Sequence, residues 1–341
     1  MSDSSSAWGD KETKFFFELT PERILDAVEV AGVRCSGRAL ALNSMENRVY
    51  DVEVLPDDHT AKPINYIAKF YRPGRWSKEQ ILDEHRFLLQ LVEYEIPVIA
   101  PLKFPDGSTL KTLPDANIYY TLFPKAGGRS PDELDTDQRM QVGRLIARMH
   151  NVGSIEPATH RLKLTPQTYG RDNLNYLLQA NLIPENIRDS YKDLVNSICD
   201  LTEPWFEKAT YQRVHGDAHF GNLIWGREGP LWVDFDDMVM GPCVQDIWLI
   251  TPGREERDVV ERAELLEAYE QLRPFDYSSL KLIEPLRSMR FIHFTAWIAR
   301  RFDDPAFKAA FPYFGTEKYW FEKLQDLYEQ KELIVNSMNA Y

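Results

Sequence analysis

Between Val214 and Asp237 the chain reads VHGDAHFGNLIWGREGPLWVDFDD, a stretch that tightly limits how it can fold. Two short apolar runs, Leu223-Ile224-Trp225 and Leu231-Trp232-Val233, surround a turn built from Gly226, Gly229 and Pro230. Runs of this kind about a Gly/Pro turn predict a β-hairpin. Such a hairpin brings Asn222 and Asp234 together, with Asp217 on the loop leading in. An Asp, an Asn and a second Asp so placed suit phosphoryl transfer. One carboxylate takes the proton of a hydroxyl, while the amide oxygen and the other carboxylate hold Mg²⁺ on a nucleotide's phosphates.

The rest of the chain supplies a sheet and then helices. Residues 1–14 read as a disordered tail rich in Ser and charge. Pro21 to Val30 is a short helical pattern, with Thr20 as its N-cap and Pro21 in the first turn. Strands are expected over about 38–43, 48–55 and 64–71, the second alternating apolar and polar as Val49-Tyr50-Asp51-Val52-Glu53-Val54. Ser77 to Tyr94 is an amphipathic helix with Ile81, Leu82, Phe87, Leu88, Leu91 and Val92 on one side. Two further strands near 99–104 and 117–123 complete a small sheet. Ser130-Pro131-Asp132-Glu133 has the form of a capping box, so a helix is expected to begin there and run to Gly153. Beyond about residue 125 the pattern is mainly helical, interrupted by the hairpin.

At 341 residues the length suits two domains or lobes, and the net charge of −13 argues against sequence-independent nucleic-acid binding. No apolar run approaches the ~18 residues of a membrane span, and the polar N-terminus lacks a signal-peptide profile. Cys35, Cys199 and Cys243 are few and far apart, which suits a reducing cytoplasm and neither a disulfide framework nor a zinc module. Cys243, close behind Asp237, reads either as a small buried residue or as a redox-sensitive thiol.

His215-Gly216-Asp217-x-His219-x-x-Asn222, followed by Asp234-Phe235-Asp236, resembles the signature of the aminoglycoside phosphotransferase/choline kinase superfamily. The same D-x-x-x-x-N spacing occurs in the catalytic loop of protein kinases. Within that superfamily the chain is most similar to the bacterial stress response kinases, which are Ser/Thr protein kinase-like. The matching segments are Leu42 to Tyr50, Lys69 to Pro73, Ile81 to His85 and Gly241 to Asp246, and the similarity runs from about Phe17 into the C-terminal third. The resemblance implies an α+β, bilobal, protein-kinase-like fold with ATP in the cleft. Its small antiparallel-sheet N-lobe would span 15–124, and its larger helical C-lobe, with the catalytic loop and metal site, 125–341.

The residues acquire expected roles from these two readings. Asp217 is the candidate general base, and Asn222 and Asp234 the candidate Mg²⁺ ligands. Asp236 and Asp237 either reach a second metal or cap the next turn. Asp-Phe-Asp replaces Asp-Phe-Gly and no Ala-Pro-Glu follows, so a phosphorylation-switched activation loop is not expected. His215 and His219 also admit a transition-metal reading, but Gly216 and Gly221 disfavour the helix that such a motif needs. His215 is instead expected to pack under the loop. Lys69 resembles the lysine that contacts α/β-phosphates in kinase-like folds, with Glu84 on the following helix as its ion-pair partner. No Gly-x-Gly-x-x-Gly lies between the first two strands. Leu42 to Arg48 stands there instead, and the resemblance implies an ATP contact for Ser44; a plain hairpin turn is the alternative. Tyr120 to Pro124 is expected to link the lobes, with Leu122 and Phe123 beside the adenine, although a buried strand would read the same way.

The acceptor is not spelled out. The helix expected over Ser288 to Arg301 carries Arg290, Arg300 and Arg301, which suit an acidic acceptor or structural ion pairs better than a polycation pocket. Three activities fit: a cytoplasmic, monomeric protein Ser/Thr kinase acting in stress protection, a kinase for a small hydroxylated molecule, or a nucleotide-binding pseudokinase scaffold.

Overall fold

The computed structural model describes Phe16, residues 19–56 and residues 62–338. The tail expected over residues 1–14 lies outside them. Two compact units divide the chain: one holds the residues up to Glu133 together with Phe220–Asp236, the other Leu134–His219 and the residues from Asp237 on.

In the first unit, α1 (Pro21–Glu29) begins where the Thr20 hydroxyl accepts the Arg23 N–H at 3.4 Å, with Pro21 in a turn that needs no donor. Strands β1 (Arg34–Ala41), β2 (Arg48–Leu55) and β3 (Ile64–Phe70) then run antiparallel. Helix α2 (Lys78–Glu93) opens on a capping box between Ser77 and Gln80. Strands β4 (Lys111–Thr112) and β5 (Tyr119–Pro124) complete a five-stranded antiparallel sheet in the order β1-β2-β3-β5-β4. Period-2 burial in β2 sends Val52 and Val54 into a core shared with Ile24, Ala27 and Val28 of α1, Ala68 and Phe70 of β3, and Tyr120 and Leu122 of β5. Each Val, Ile, Leu or Phe among them contributes about 1.5–3 kcal/mol by leaving water.

The strand expected near 99–104 does not form. Pro97, Pro101 and Pro105 withhold the N–H groups a ladder needs, and the segment follows the sheet through the Leu102 N–H, which donates to the Leu122 carbonyl at 2.7 Å. The strand that borders β5 is the short β4.

The second unit is mainly helical. Its first helix, α3 (Thr136–Gly153), begins later than Ser130, at a second capping box formed by Asp135 and Gln138. Both tetrapeptides fit the pattern, but the Ser130 hydroxyl is directed to the Gly221 carbonyl at 3.5 Å and the helix starts only past the buried Leu134. Helices α4 (Asp172–Gln179) and α5 (Glu185–Glu207) lead to strand β6 (Gln212–Val214). The chain then crosses into the first unit as a hairpin of β7 (Leu223–Gly226) and β8 (Gly229–Trp232). It returns at β9 (Val239–Gly241), which pairs antiparallel with β6. Helices α6 (Val244–Ile250), α7 (Glu256–Glu270), α8 (Ile283–Arg301), α9 (Pro305–Ala310) and α10 (Glu317–Met338) follow. Leu194, Val195 and Ile198 of α5, Met289, Ile292 and Ala296 of α8, and Trp320, Leu327 and Ile334 of α10 form a common core. None of the helices among the described residues is long and apolar enough to cross a membrane.

Candidate active site

In the first unit the hairpin holds two of the expected residues at its open end. Leu223 pairs with Trp232, and the Val233 N–H donates to the Asn222 carbonyl at 3.0 Å, so Asn222 and Asp234 lie on adjoining positions. Trp232 is fully buried, and its backbone N–H is fixed on the Pro97 carbonyl at 3.2 Å. Asp234 has φ of 58°, a left-handed conformation that Asp tolerates better than most residues. Its carboxyl group is 56% exposed and so remains open to a ligand.

Lys69 points at this carboxylate. Its ammonium is 3.1 Å from Asp234, 3.1 Å from Asp236 and 3.9 Å from Glu84. Lys69 and Glu84 therefore stand in reach, but the two aspartates are the nearer partners. Asp236, expected at a second metal or a turn cap, is buried and shares Lys69. Burial alone would push the ammonium towards neutrality; Asp234, Asp236 and Glu84 outweigh it and raise its pKa well above the ordinary lysine value. Glu84 reaches this cluster because the inner stripe of α2, Ile81, Glu84, His85 and Leu88 at helical spacing, carries two polar members. His85 is satisfied by the Tyr71 hydroxyl at 3.0 Å and the Thr109 hydroxyl at 2.8 Å.

The loop between β1 and β2 is bound to the end of β3. The Arg72 guanidinium donates to the carbonyls of Glu46 at 2.8 Å and Met45 at 3.1 Å, while its backbone N–H donates to the Asn47 side chain at 3.1 Å. Ser44 is half-buried on the same loop. Leu122 and Phe123 lie inside β5 opposite Ala68 and Ile67.

The second unit holds Asp217, on a loop anchored by a residue of α6. The two oxygens of Asp246 accept the N–H groups of His215 at 2.8 Å and Gly216 at 2.9 Å, and His150 of α3 lies 3.1 Å from the same carboxylate. Gln245 donates to the Gly216 carbonyl at 2.7 Å. Gly216 has φ of +85°, and a Cβ there would sit 2.2 Å from the Asp237 carbonyl, so only glycine fits. The buried His215 ring offers Nδ1 to the Asp217 N–H at 3.3 Å. His219 sets Nε2 3.2 Å from Asp217 Oδ2, and Arg290 of α8 reaches Oδ1 at 2.7 Å. Burial would raise the Asp217 pKa, but the His219 hydrogen bond and the Arg290 charge overcome that and hold it well below the usual carboxylate range. The two histidines thus serve one carboxylate, and among the described residues no three His, Cys, Asp or Glu side chains form a metal-holding group.

Sequence reasoning passed over Asp246, His150 and Arg72, and it saw Arg290 only as one of several basic residues. A signal existed for Arg290: Leu286, Met289, Arg290 and His293 recur at helical spacing along one face of α8. Asp246 and Arg72 sit inside matching segments but carried no local pattern that set them apart.

Comparison with known proteins places these features in a family. Residues 39–283 match the phosphotransferase enzyme family. The chain is 38% identical over 320 residues to stress response kinase A of Escherichia coli (strain K12), covering 94% of both chains. It has the same identity and coverage against serine/threonine protein kinase RdoA of Salmonella typhimurium. Among solved structures, an amicoumacin kinase in complex with AMP-PNP, Ca²⁺ and Ami is similar in fold, with a TM-score of 0.66 at 19% identity over 87% of this chain and 92% of that one. A microcompartment-associated aminopropanol kinase has a TM-score of 0.65 at 18% identity over 92% and 97%. An antiparallel sheet at the N-terminal end, a helical remainder and a match that runs through the hairpin and both anchored loops agree on one assignment: the chain belongs to the phosphotransferase enzyme family.

Proposed function

We propose that this protein is an ATP-dependent Ser/Thr protein kinase acting in stress protection in the cytoplasm, as a monomer. The observation that carries the chemistry is the cluster in which the buried ammonium of Lys69 faces Asp236, Glu84 and the half-exposed Asp234. The Asp234 carboxylate and the Asn222 amide are hard oxygen donors. That donor set fits Mg²⁺, which takes few protein ligands and fills its other positions with phosphate oxygens and water. Bound there, Mg²⁺ would neutralise charge on the β- and γ-phosphates.

The chain's own residues do the rest. Lys69, oriented by Glu84, would contact the α/β-phosphates, and Ser44 with the backbone of its loop would hold phosphate oxygens. Leu122 and Phe123 would lie beside the adenine. Asp217 would orient the acceptor hydroxyl and accept its proton as the new O–P bond forms. The bond from the γ-phosphorus to the leaving oxygen breaks at the same time, and its electron pair departs with ADP. The protein-kinase reading of the acceptor is supported by the names of relatives at 38% identity. A small-molecule acceptor is the second reading, favoured by structural neighbours titled as amicoumacin and aminopropanol kinases.

The test is transfer of labelled γ-phosphate from ATP with Mg²⁺ to protein acceptors and to a panel of amino alcohols and aminoglycosides. Label on Ser or Thr that falls about 10²–10⁴-fold in Asp217→Asn supports the kinase and its base. Label confined to a small molecule selects the second reading. Nucleotide binding without transfer to any acceptor overturns both.

A further inference from the structure

Beside Asp217 the second unit has a small open pocket of about 40 Å³, lined by Leu164, Tyr169, Asp237, Gln245 and the α8 face that carries Arg290. Its charges are few and mostly committed. Gln245 is held between the Gly216 carbonyl, to which it donates at 2.7 Å, and the Trp248 indole N–H, which it accepts at 3.0 Å. Both Asp217 oxygens are already engaged, Oδ2 by His219 at 3.2 Å and Oδ1 by Arg290 at 2.7 Å. The remaining α8 arginines are framework: Arg287 pairs with Glu284 at 3.2 Å, Arg300 donates to Asn173 at 2.8 Å and Arg301 donates to the Trp297 carbonyl at 3.2 Å, the last two buried. Arg290 differs from them in being 41% exposed while its guanidinium borders the pocket.

An acceptor entering here meets the Arg290 guanidinium opposite the Asp237 carboxylate. An anionic one meets a planar fork with five donors, of which Asp217 engages only part. We propose that Arg290 is the acceptor-recognition residue of this enzyme and takes a carboxylate carried next to the accepting hydroxyl. The acceptor's carboxylate draws the guanidinium off Asp217 Oδ1 and leaves that oxygen to the incoming hydroxyl. The acceptor and the ion that holds the base thus exchange partners, so the base is released only when the right substrate arrives. The inference rests on the reading of Asp217 as base and names the acceptor class: a hydroxyl flanked by acid, in a peptide or in a small hydroxy acid.

The experiment uses the full chain with two readouts. Binding of Ser peptides flanked by Asp or Glu, by Ala, or by Lys is measured calorimetrically in the presence of ADP and Mg²⁺, and transfer to the same peptides and to small hydroxy acids is measured with ATP. The wild type should favour acid-flanked over lysine-flanked peptides tenfold or more, mainly through KM. Arg290→Gln should level that preference, and Arg290→Lys should restore part of it. Whether the peptides or the small hydroxy acids are labelled distinguishes the two sources of the carboxylate. A wild-type preference for lysine-flanked acceptors, or an acid preference unchanged in Arg290→Gln, overturns the proposal. If acid-selective binding depends on Arg290 but transfer persists in Asp217→Asn, the base assignment fails and acceptor recognition stands. If transfer requires Asp217 but shows no acid selectivity, the outcome is the reverse.

Discussion

At the scale of single residues, Asp217 is defined by what surrounds it. Arg290 and His219 hold its pKa below the ordinary carboxylate range, so the carboxylate stays ionised as the pH falls through the values where a free Asp would be protonated. A depressed pKa gives stability that is present above the unfolded value and lost only at lower pH. We therefore expect kcat/KM to show no acid limb from Asp217 between about pH 5 and 8. In Arg290→Gln, such a limb should move up towards the normal Asp range; a pH–rate series on both proteins checks this. Gly216 makes a second demand. Gly216→Ala forces an L side chain into φ of +85° against the Asp237 carbonyl, and should cost about 1–3 kcal/mol with loss of turnover, read by denaturant titration and assay. The spacing of Asp217, Asn222 and Asp234 was legible in the sequence because local turn chemistry dictates it. Arg290 was not, since its partner is 73 positions away and only packing brings the two together.

At the scale of elements, the hairpin forms where Gly and Pro separate two apolar runs. Its position depends on a second strip of chain: Arg129 and Trp225 exchange backbone hydrogen bonds, and a Cβ on Gly128 would lie 2.3 Å from Ile224. Trp232→Ala, which empties the buried end of β8, should cost about 3–5 kcal/mol by denaturant titration. It should also raise the Mg²⁺ requirement, because Asn222 and Asp234 lose their shared support. The expectation for α2 was right about the helix and incomplete about its inner stripe. Leu82 and Val92 were counted as facing inward, but Val92 is 47% exposed, while Glu84 and His85 are buried. An apolar pattern cannot find inward positions that polar residues occupy. At 99–104 the expected strand fails for a different reason: Pro101 lacks the donor that a ladder needs, and Pro97 and Pro105 flank the segment.

For the whole molecule, the candidate chemistry is distributed over both compact units, and ligand binding should register in global stability. Mg²⁺ and ADP at about one hundred times Kd should add about 2.7 kcal/mol to the free energy of unfolding, visible as a rise in Tm. Chelation should remove most of that gain; no shift would argue against a nucleotide site. The opposite pH behaviour is expected around α3 and α6. Burial works against a charge on His150, but Cys243, Tyr269 and the Asp246 carboxylate outweigh it and raise its pKa well above the ordinary histidine value. A raised pKa stabilises fully below the unfolded value and fades as the pH climbs through the folded one. His150→Gln should therefore lose most stability at mildly acidic pH and progressively less in alkali. If the Ser44 loop holds phosphate as proposed, its tie to Arg72 has a consequence for how a nucleotide is admitted. A glycine-rich flap must be ordered anew each time a ligand arrives, whereas this loop gives up its freedom once, when the chain folds. A pocket stiffened in advance gains affinity cheaply and adapts poorly, so analogues with bulky γ-substituents should be turned away at the door rather than accommodated.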